Sequence, residues 1–163
     1  MSKFRIGHGY DVHRLAEGLP LVLGGIHIDS DKGCMAHSDG DVLIHSICDA
    51  LLGAAALGDI GSHFPDDDPA YKNIASSELL ASVCKKLESE GYAIGNIDST
   101  IVLQEPKLMP YIDSMRENIA RILGVAVESV SVKATTTECL GFAGRGEGVG
   151  SYSVVVIYTA EYK

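Results

Sequence analysis

Residues Asp41 to Gly58 read DVLIHSICDALLGAAALG, and this stretch decides the fold. Leu, Ile and Ala recur at helical spacing and Gly58 is a natural stop, so the pattern predicts a long, buried helix. His45 and Asp49 sit four apart and share one face of that helix. Just before it lies the polar turn His37-Ser38-Asp39-Gly40. Just after it lies DIGSHFPDDDP, residues 59–69, too acidic and too broken by Gly and Pro to be core. A buried helix between two polar loops is a scaffold for a site.

Outward from the helix, the chain alternates between strand and helix patterns. Phe4 to His13 reads as a strand, with Arg5, Gly7, Gly9, Asp11 and His13 on one face and Phe4, Ile6, His8 and Tyr10 on the other. Leu21 to Ile28, LVLGGIHI, predicts a β-hairpin around Gly24-Gly25. Ser76 to Glu90 is a second helix, with Leu79, Leu80, Val83 and Leu87 as its stripe and Gly91 past its end. A strand from Ile94 to Leu103 is followed by the proline-fixed loop QEPKLMP, residues 104–110. Tyr111 to Leu123 is a third helix closed by Gly124. Val130 to Ala134 is a strand, Leu140 to Gly150 a glycine loop, and Ser151 to Ala160 a last strand with Tyr152, Val154, Val156 and Tyr158 on one face. The expected class is α/β (α+β), one domain over residues 1–163, with helices on one sheet face. The other face must be buried by something or else be polar, and oligomerisation is the expected cover.

Composition narrows the function. The 163 residues are 46% hydrophobic and 21% charged, ordinary for a globular chain of one core. A net charge of -9 leaves no basic field for nucleic acid or an anionic membrane. A phosphorylated substrate would then need metal cations or local backbone donors. No apolar run approaches the roughly 20 residues of a membrane span. The first residues, MSKFRIGHGYDVHRL, lack the apolar core of a signal peptide. Cys34, Cys48, Cys84 and Cys139 have no CxxC spacing and read as free thiols of a cytosolic protein.

Four constellations carry chemistry, each beside a plainer reading. Asp11, His13 and His45 suit a tetrahedral zinc with an open fourth position, or are a strand-end Asp and two unrelated histidines. Asp49 is placed to take the second ring N–H of a ligating His45, or is a solvated helix residue. Lys133-Ala134-Thr135-Thr136-Thr137-Glu138 offers hydroxyls and backbone donors to phosphate, with Glu138 a ligand for a hard cation, or is a strand end and a polar turn. LGFAGRGEGVG, residues 140–150, lacks the GK[ST] ending of a P-loop. It permits close backbone approach with Arg145 as its cation, or forms an interface turn. The loop 104–110 with Lys107 presents rigid backbone groups to a nucleobase, or is an exposed turn. Asp66-Asp67-Asp68 reads as a solvated acidic loop, and His8, His27 and His63 as packing or surface histidines.

Taken together, Gly7-His8-Gly9-Tyr10-Asp11-Val12-His13, His37-Ser38-Asp39-Gly40-Asp41 through His45, Gly58-Asp59-Ile60-Gly61 through Phe64-Pro65-Asp66, Lys133 to Glu138 and Gly144-Arg145-Gly146-Glu147-Gly148 resemble the 2-C-methyl-D-erythritol 2,4-cyclodiphosphate synthase family of the non-mevalonate isoprenoid pathway. The resemblance runs in order over nearly the whole chain.

It implies a lyase that cyclises 4-diphosphocytidyl-2-C-methyl-D-erythritol 2-phosphate and releases CMP. By the same resemblance Asp11, His13 and His45 carry one zinc per subunit, and Glu138 holds Mg²⁺ or Mn²⁺. Phosphate is met by Asp11, His13, His37 and Ser38, with His37 and Thr136 stabilising the transition state. Asp59, Gly61, Phe64, Asp66 and Asp68 bind the methylerythritol part. Leu103, Gln104, Pro106, Lys107, Leu108, Met109, Thr135 and Thr136 form the cytidine pocket, and Phe142 and Arg145 lie near substrate. The implied assembly is a cytoplasmic homotrimer with an about four-stranded sheet facing the threefold axis. Some relatives hold an isoprenoid diphosphate in a central cavity, whose contacts here are Phe142, Arg145 and Glu147. Another zinc phosphohydrolase, or a non-catalytic trimer that binds isoprenoid diphosphates, stays open as an alternative.

Overall fold

The computed structural model of the chain describes residues 4–65 and 74–159. The long helix α1 spans Val42–Ala55 and is buried nearly all round. Leu43, Ile44, Ile47, Leu51 and Leu52 on it have no accessible surface. Each such side chain contributes about 1.5–3 kcal/mol of burial, so the helix is the main body of the core. Asp41 caps it, accepting from the Ile44 N–H at 3.1 Å. It ends earlier than its glycine suggests. Ala56 turns left-handed at φ 60 and its N–H bonds Gly53 and Leu52 carbonyls, while Gly58 lies two residues beyond. A left-handed alanine costs about 1–2 kcal/mol, which the two cap bonds offset.

One mixed sheet lies under α1. Its strands run β4 (Lys32–Cys34), β1 (Phe4–Glu17), β7 (Gly148–Thr159), β5 (Tyr92–Val102) and β6 (Val130–Thr135). Four are long; the fifth, β4, is a three-residue edge piece on the end of β1. Only β5 and β6 are parallel. The crossover between them carries helix α4 (Ile112–Leu123), closed by Gly124 in the left-handed region, where a missing Cβ removes the steric cost. Helix α3 (Ser76–Ser89) packs against α1 and also touches α4 and β5. The expected hairpin is β2 (Leu21–Leu23) with β3 (Ile26–Ile28). Its turn is held by Asp41, whose carboxylate accepts the Gly24 N–H at 2.9 Å and the Gly25 N–H at 2.6 Å.

Gly7 and Gly9 set the depth at which α1 sits. A Cβ on Gly7 would lie 1.8 Å from the Ala50 carbonyl oxygen, and one on Gly9 would lie 2.0 Å from that of Ser46. Only glycine lets strand and helix backbones meet this closely. Beneath the contact, Ser46, Ser99, Ser151 and Ser153 form a buried hydroxyl chain with O···O separations of 2.7–2.9 Å.

Among the described residues, no long helix covers the opposite sheet face. Phe4, Ile6, Tyr10 and Val12 of β1 and Tyr152, Val154 and Tyr158 of β7 are all exposed there. The register places Phe4 opposite Tyr158, His8 opposite Val154 and Tyr10 opposite Tyr152, and the last two rings stack at 4.7 Å. The stretch expected as a glycine loop is shorter than its composition suggests. Gly141–Gly144 make one helical turn, α5, and Gly148 to Gly150 already belong to β7, in register with Arg14 to Val12. Glycine's low strand propensity is overridden there because Phe142 covers the Gly148 position, leaving no room for a side chain.

Candidate active site

Strand alternation turns Asp11 and His13 toward the helix layer, and the glycine contact brings α1's first turns over them. Asp11 Oδ2 lies 3.0 Å from His45 Nδ1 and 3.1 Å from His13 Nδ1. One ligand atom from each of these three residues lies within 4.8 Å of the others. The imidazole rings of His13 and His45 are 5.4 Å apart between centroids.

This donor set fits a divalent cation. His13 Nδ1 is buried and makes no hydrogen bond, since its approach to Asp11 lacks hydrogen-bond alignment. An orphaned buried ring nitrogen is costly, and a cation held with Asp11 and His45 would satisfy it. The electrostatics agree. Burial alone would raise the Asp11 carboxyl, but His13 and His45 outweigh it and hold the group far below the usual carboxylate range. Burial opposes a charged His45, yet Asp11 beside it raises its pKa. A carboxylate stabilised as the anion next to two imidazoles is poised to bind a cation.

The triad lies on the floor of an open cleft of about 420 Å³. His37, Ser38, Gly61 and Phe64 line its walls. Arg14, Met35, Ala36, Ile60, Ile74 and Leu79 line it as well and were not foreseen. Arg14 was findable as the one cation next to the D-x-H pair. Asp59 caps the short helix α2 (Ile60–His63), accepting from the Ser62 N–H at 2.8 Å, and those Ser62 bonds lower its carboxyl pKa. Asp66 and Asp68 lie outside the described residues.

The residues expected around cytidine gather in a second cleft of about 260 Å³. Leu103, Gln104, Pro106, Lys107, Leu108, Met109, Thr135 and Thr136 all line it. Register separates it from the triad. Val12, Gly150, Val102 and Thr135 form one row across four strands, three inter-strand steps or roughly 14 Å. Glu138 follows β6 at φ 51 and Cys139 at φ 64, two successive left-handed residues. The turn is held by Gln104, whose side-chain oxygen accepts the Cys139 N–H at 3.2 Å, while Thr136 Oγ1 donates to Glu138 Oε1 at 3.2 Å. Phe142 lines a third, smaller cleft with Tyr10 and Tyr152. The Arg145 guanidinium is already paired with Glu147 by two bonds of 2.9 and 3.0 Å.

Asp49 is corrected. His45 turns Nδ1 toward Asp11 Oδ2, 3.0 Å away, and Nε2 toward Ser76, whose Oγ lies at 2.8 Å. The Asp49 carboxylate instead accepts the Ile60 N–H at 2.7 Å and so anchors α2. Sharing a helix face with His45 put it near the ring but did not give it the bond. Ser76 was missed because it is 31 residues away and no spacing rule links it to His45.

The fold and the cleft define a protein of the α+β class with a triad able to hold a divalent cation and an open, apolar sheet face. The chain belongs to the YgbB family, whose model matches residues 4–158. It is 60% identical over 157 residues to the 2-C-methyl-D-erythritol 2,4-cyclodiphosphate synthase of Thioalkalivibrio sulfidiphilus, covering 96% of this chain and 98% of that one. A solved 2C-methyl-D-erythritol-2,4-cyclodiphosphate synthase in its CDP-bound form superposes with a TM-score of 0.87 at 36% identity, covering 94% of this chain and 99% of the other. The bifunctional IspDF of Campylobacter jejuni superposes at 0.92 with 46% identity over 96% of this chain, which spans only 42% of that longer protein.

Proposed function

We propose that this chain is a phosphorus–oxygen lyase that converts 4-diphosphocytidyl-2-C-methyl-D-erythritol 2-phosphate to 2-C-methyl-D-erythritol 2,4-cyclodiphosphate and CMP, a step of isoprenoid precursor formation by the non-mevalonate pathway. The observation that carries the reading is the convergence of Asp11, His13 and His45 on one point at the floor of a cleft, in a chain 60% identical to a named synthase.

In the reaction an oxygen of the 2-phosphate attacks the β-phosphorus of the same molecule. The bond from that phosphorus to the bridging oxygen breaks, and CMP leaves with the electron pair. The nucleophile is already an anion, so no general base is needed, and catalysis is positioning plus electrostatic stabilisation. Asp11, His13 and His45 are the residues that would hold a zinc, whose chemistry when bound would be that of a Lewis acid toward phosphate. Glu138 is the residue that would hold a second cation, Mg²⁺ or Mn²⁺. His37 and Ser38 donate to phosphate from the cleft wall, and Thr136 does so from the strand end. Asp59 and Gly61 with Phe64, Asp66 and Asp68 bind the methylerythritol hydroxyls. The 104–110 loop with Thr135 binds the cytosine and ribose.

Metal cleft and cytidine cleft are about 14 Å apart within one chain. A homotrimer packed through the bare sheet faces brings one subunit's metal cleft to its neighbour's cytidine cleft. The exposed Phe4, Ile6, Tyr10, Val12, Tyr152, Val154 and Tyr158 support this. In that assembly Phe142, Arg145 and Glu147 flank a central cavity that takes an isoprenoid diphosphate. Residues 1–163 form one domain of the cytoplasm. No helix among the described residues is long and apolar enough to cross a membrane.

The test is a ³¹P NMR time course with the cytidine diphosphate substrate and Mg²⁺, with and without a zinc chelator. A cyclic diphosphate signal appearing with CMP and lost on chelation supports the reading. Linear phosphate products would move the protein to the hydrolases, and no turnover with metal bound would make it a binder.

A further inference from the structure

The geometry assigns Ser76 and Asp39 as positioning residues that fix the His45 imidazole as the Nε2–H tautomer, so that Nδ1 offers its lone pair to the cation. This rests on the metal reading above.

Three bonds carry it. Ser76, the first residue of α3, is fully buried. Its hydroxyl donates to Asp39 Oδ1, and its backbone N–H donates to Asp39 Oδ2 at 2.9 Å. His45 Nε2 lies 2.8 Å from the same hydroxyl oxygen. A serine hydroxyl has one proton and a carboxylate only accepts. With its proton committed to Asp39, Ser76 Oγ can meet His45 only as an acceptor, so Nε2 carries the hydrogen. That leaves Nδ1, 3.0 Å from Asp11 Oδ2, with its lone pair on the metal side.

A competing partner is weaker. Ser38 Oγ is 3.4 Å from Nε2 and already accepts the Gly40 N–H at 3.2 Å. The relay is also anchored. Ala75 gives α3 no side-chain cap, and Asp39 supplies that service from a loop 37 residues away. One carboxylate therefore ties the loop before α1 to the start of α3 and orients the ring between them. Outer partners of this kind hold ligands against rotation and tautomer loss, and their removal weakens metal binding by about 10–100-fold.

The deciding experiment is a long-range ¹H–¹⁵N correlation on the zinc-loaded wild-type chain with ¹⁵N-histidine, with His45 assigned from the spectrum of His45→Gln. We expect a protonated Nε2 and a metal-shifted Nδ1. Zinc bound through Nε2 with Nδ1 protonated overturns the inference. Chelator competition then compares Ser76→Ala and Asp39→Asn with wild type, beside urea unfolding of each. We expect zinc affinity to fall about 10–100-fold in Ser76→Ala. Wild-type affinity in a Ser76→Ala chain that merely unfolds more easily would reduce Ser76 to a helix-capping role and also overturn it. If neither variant folds, the wild-type spectrum decides. Failure of the wild-type chain to take up zinc at all would overturn the metal reading itself, and this inference with it.

Discussion

His45 Nδ1 lies 3.0 Å from Asp11 Oδ2, across 34 residues of sequence. Removing the imidazole deletes one of three donors and leaves Asp11 facing His13 alone. We expect His45→Ala to lose tightly bound zinc and to lower activity by more than about 100-fold, since even outer partners of a ligand contribute 10–100-fold. The fold should survive, because His45 is not among the fully buried core side chains. Metal analysis beside circular dichroism checks this, and full zinc occupancy in the variant would remove His45 from the ligand set.

Glu138 sits in a left-handed turn that Gln104 holds through the Cys139 N–H. Glu138→Gln should keep zinc but shift the Mg²⁺ concentration needed for half-maximal rate upward by about tenfold or more, as a neutral amide replaces a hard anionic ligand. An unchanged Mg²⁺ titration would assign the second cation elsewhere.

Asp41 gives a pH signature. Burial pushes its carboxyl up to about 6, although the Gly25, Ile44 and Gly24 N–H groups favour the anion. Between the unfolded value of 3.8 and about 6 the folded chain holds more protons, so this residue's contribution to stability falls as pH rises through that window. The span corresponds to on the order of 3 kcal/mol. Asp41→Asn cannot titrate, and it loses acceptor capacity toward three N–H groups. Urea unfolding should find it less stable than wild type at pH 4, with the gap narrowing toward pH 7. A gap that widens with pH would contradict the raised carboxyl.

Gly9→Ala should separate β1 from α1, because its Cβ would lie 2.0 Å from the Ser46 carbonyl oxygen. We expect a loss of at least about 2–3 kcal/mol in urea unfolding and weaker zinc binding, as the contact sets the distance from Asp11 to His45. Wild-type stability would mean that the helix tilts away at little cost.

Val154 is exposed on the bare sheet face, opposite His8. Val154→Asp should release monomers in analytical ultracentrifugation and abolish turnover, since the metal and cytidine clefts would no longer meet. The exposed position makes the monomer's own stability change small, within about 0.5 kcal/mol. An active, stable monomer would overturn the interfacial site.

Much of the architecture was legible because it is written in local periods. The repeats of 3.6 and 2 placed α1, α3, α4, β1 and β7 to within a few residues, and they separated the glycine–Asp11–His13 face of β1 from the apolar one. Lengths at Gly58 and in the 140–150 loop were misjudged. There tertiary packing, two cap bonds at Ala56 and the Phe142 ring over Gly148, outweighed the intrinsic preference of glycine.

The sequence by itself determined which side chains are chemically equipped to act: a D-x-H strand, a histidine on a buried helix, a threonine run ending in Glu138 and a proline-bound loop. It also showed that one sheet face would lack a helix cover, leaving open whether that face is polar or buried by a partner. Only the tertiary structure decided who meets whom. It gave His45 to Ser76 and Asp39 rather than to Asp49, placed β7 between β1 and β5, and so divided the candidate residues between two clefts of one chain. The reason is range. Periodicity is fixed by neighbours a few residues apart. The meeting of Asp11 with His45, 34 residues apart, depends on the alternation of a strand and on how closely two backbones approach, and here two glycines set that approach.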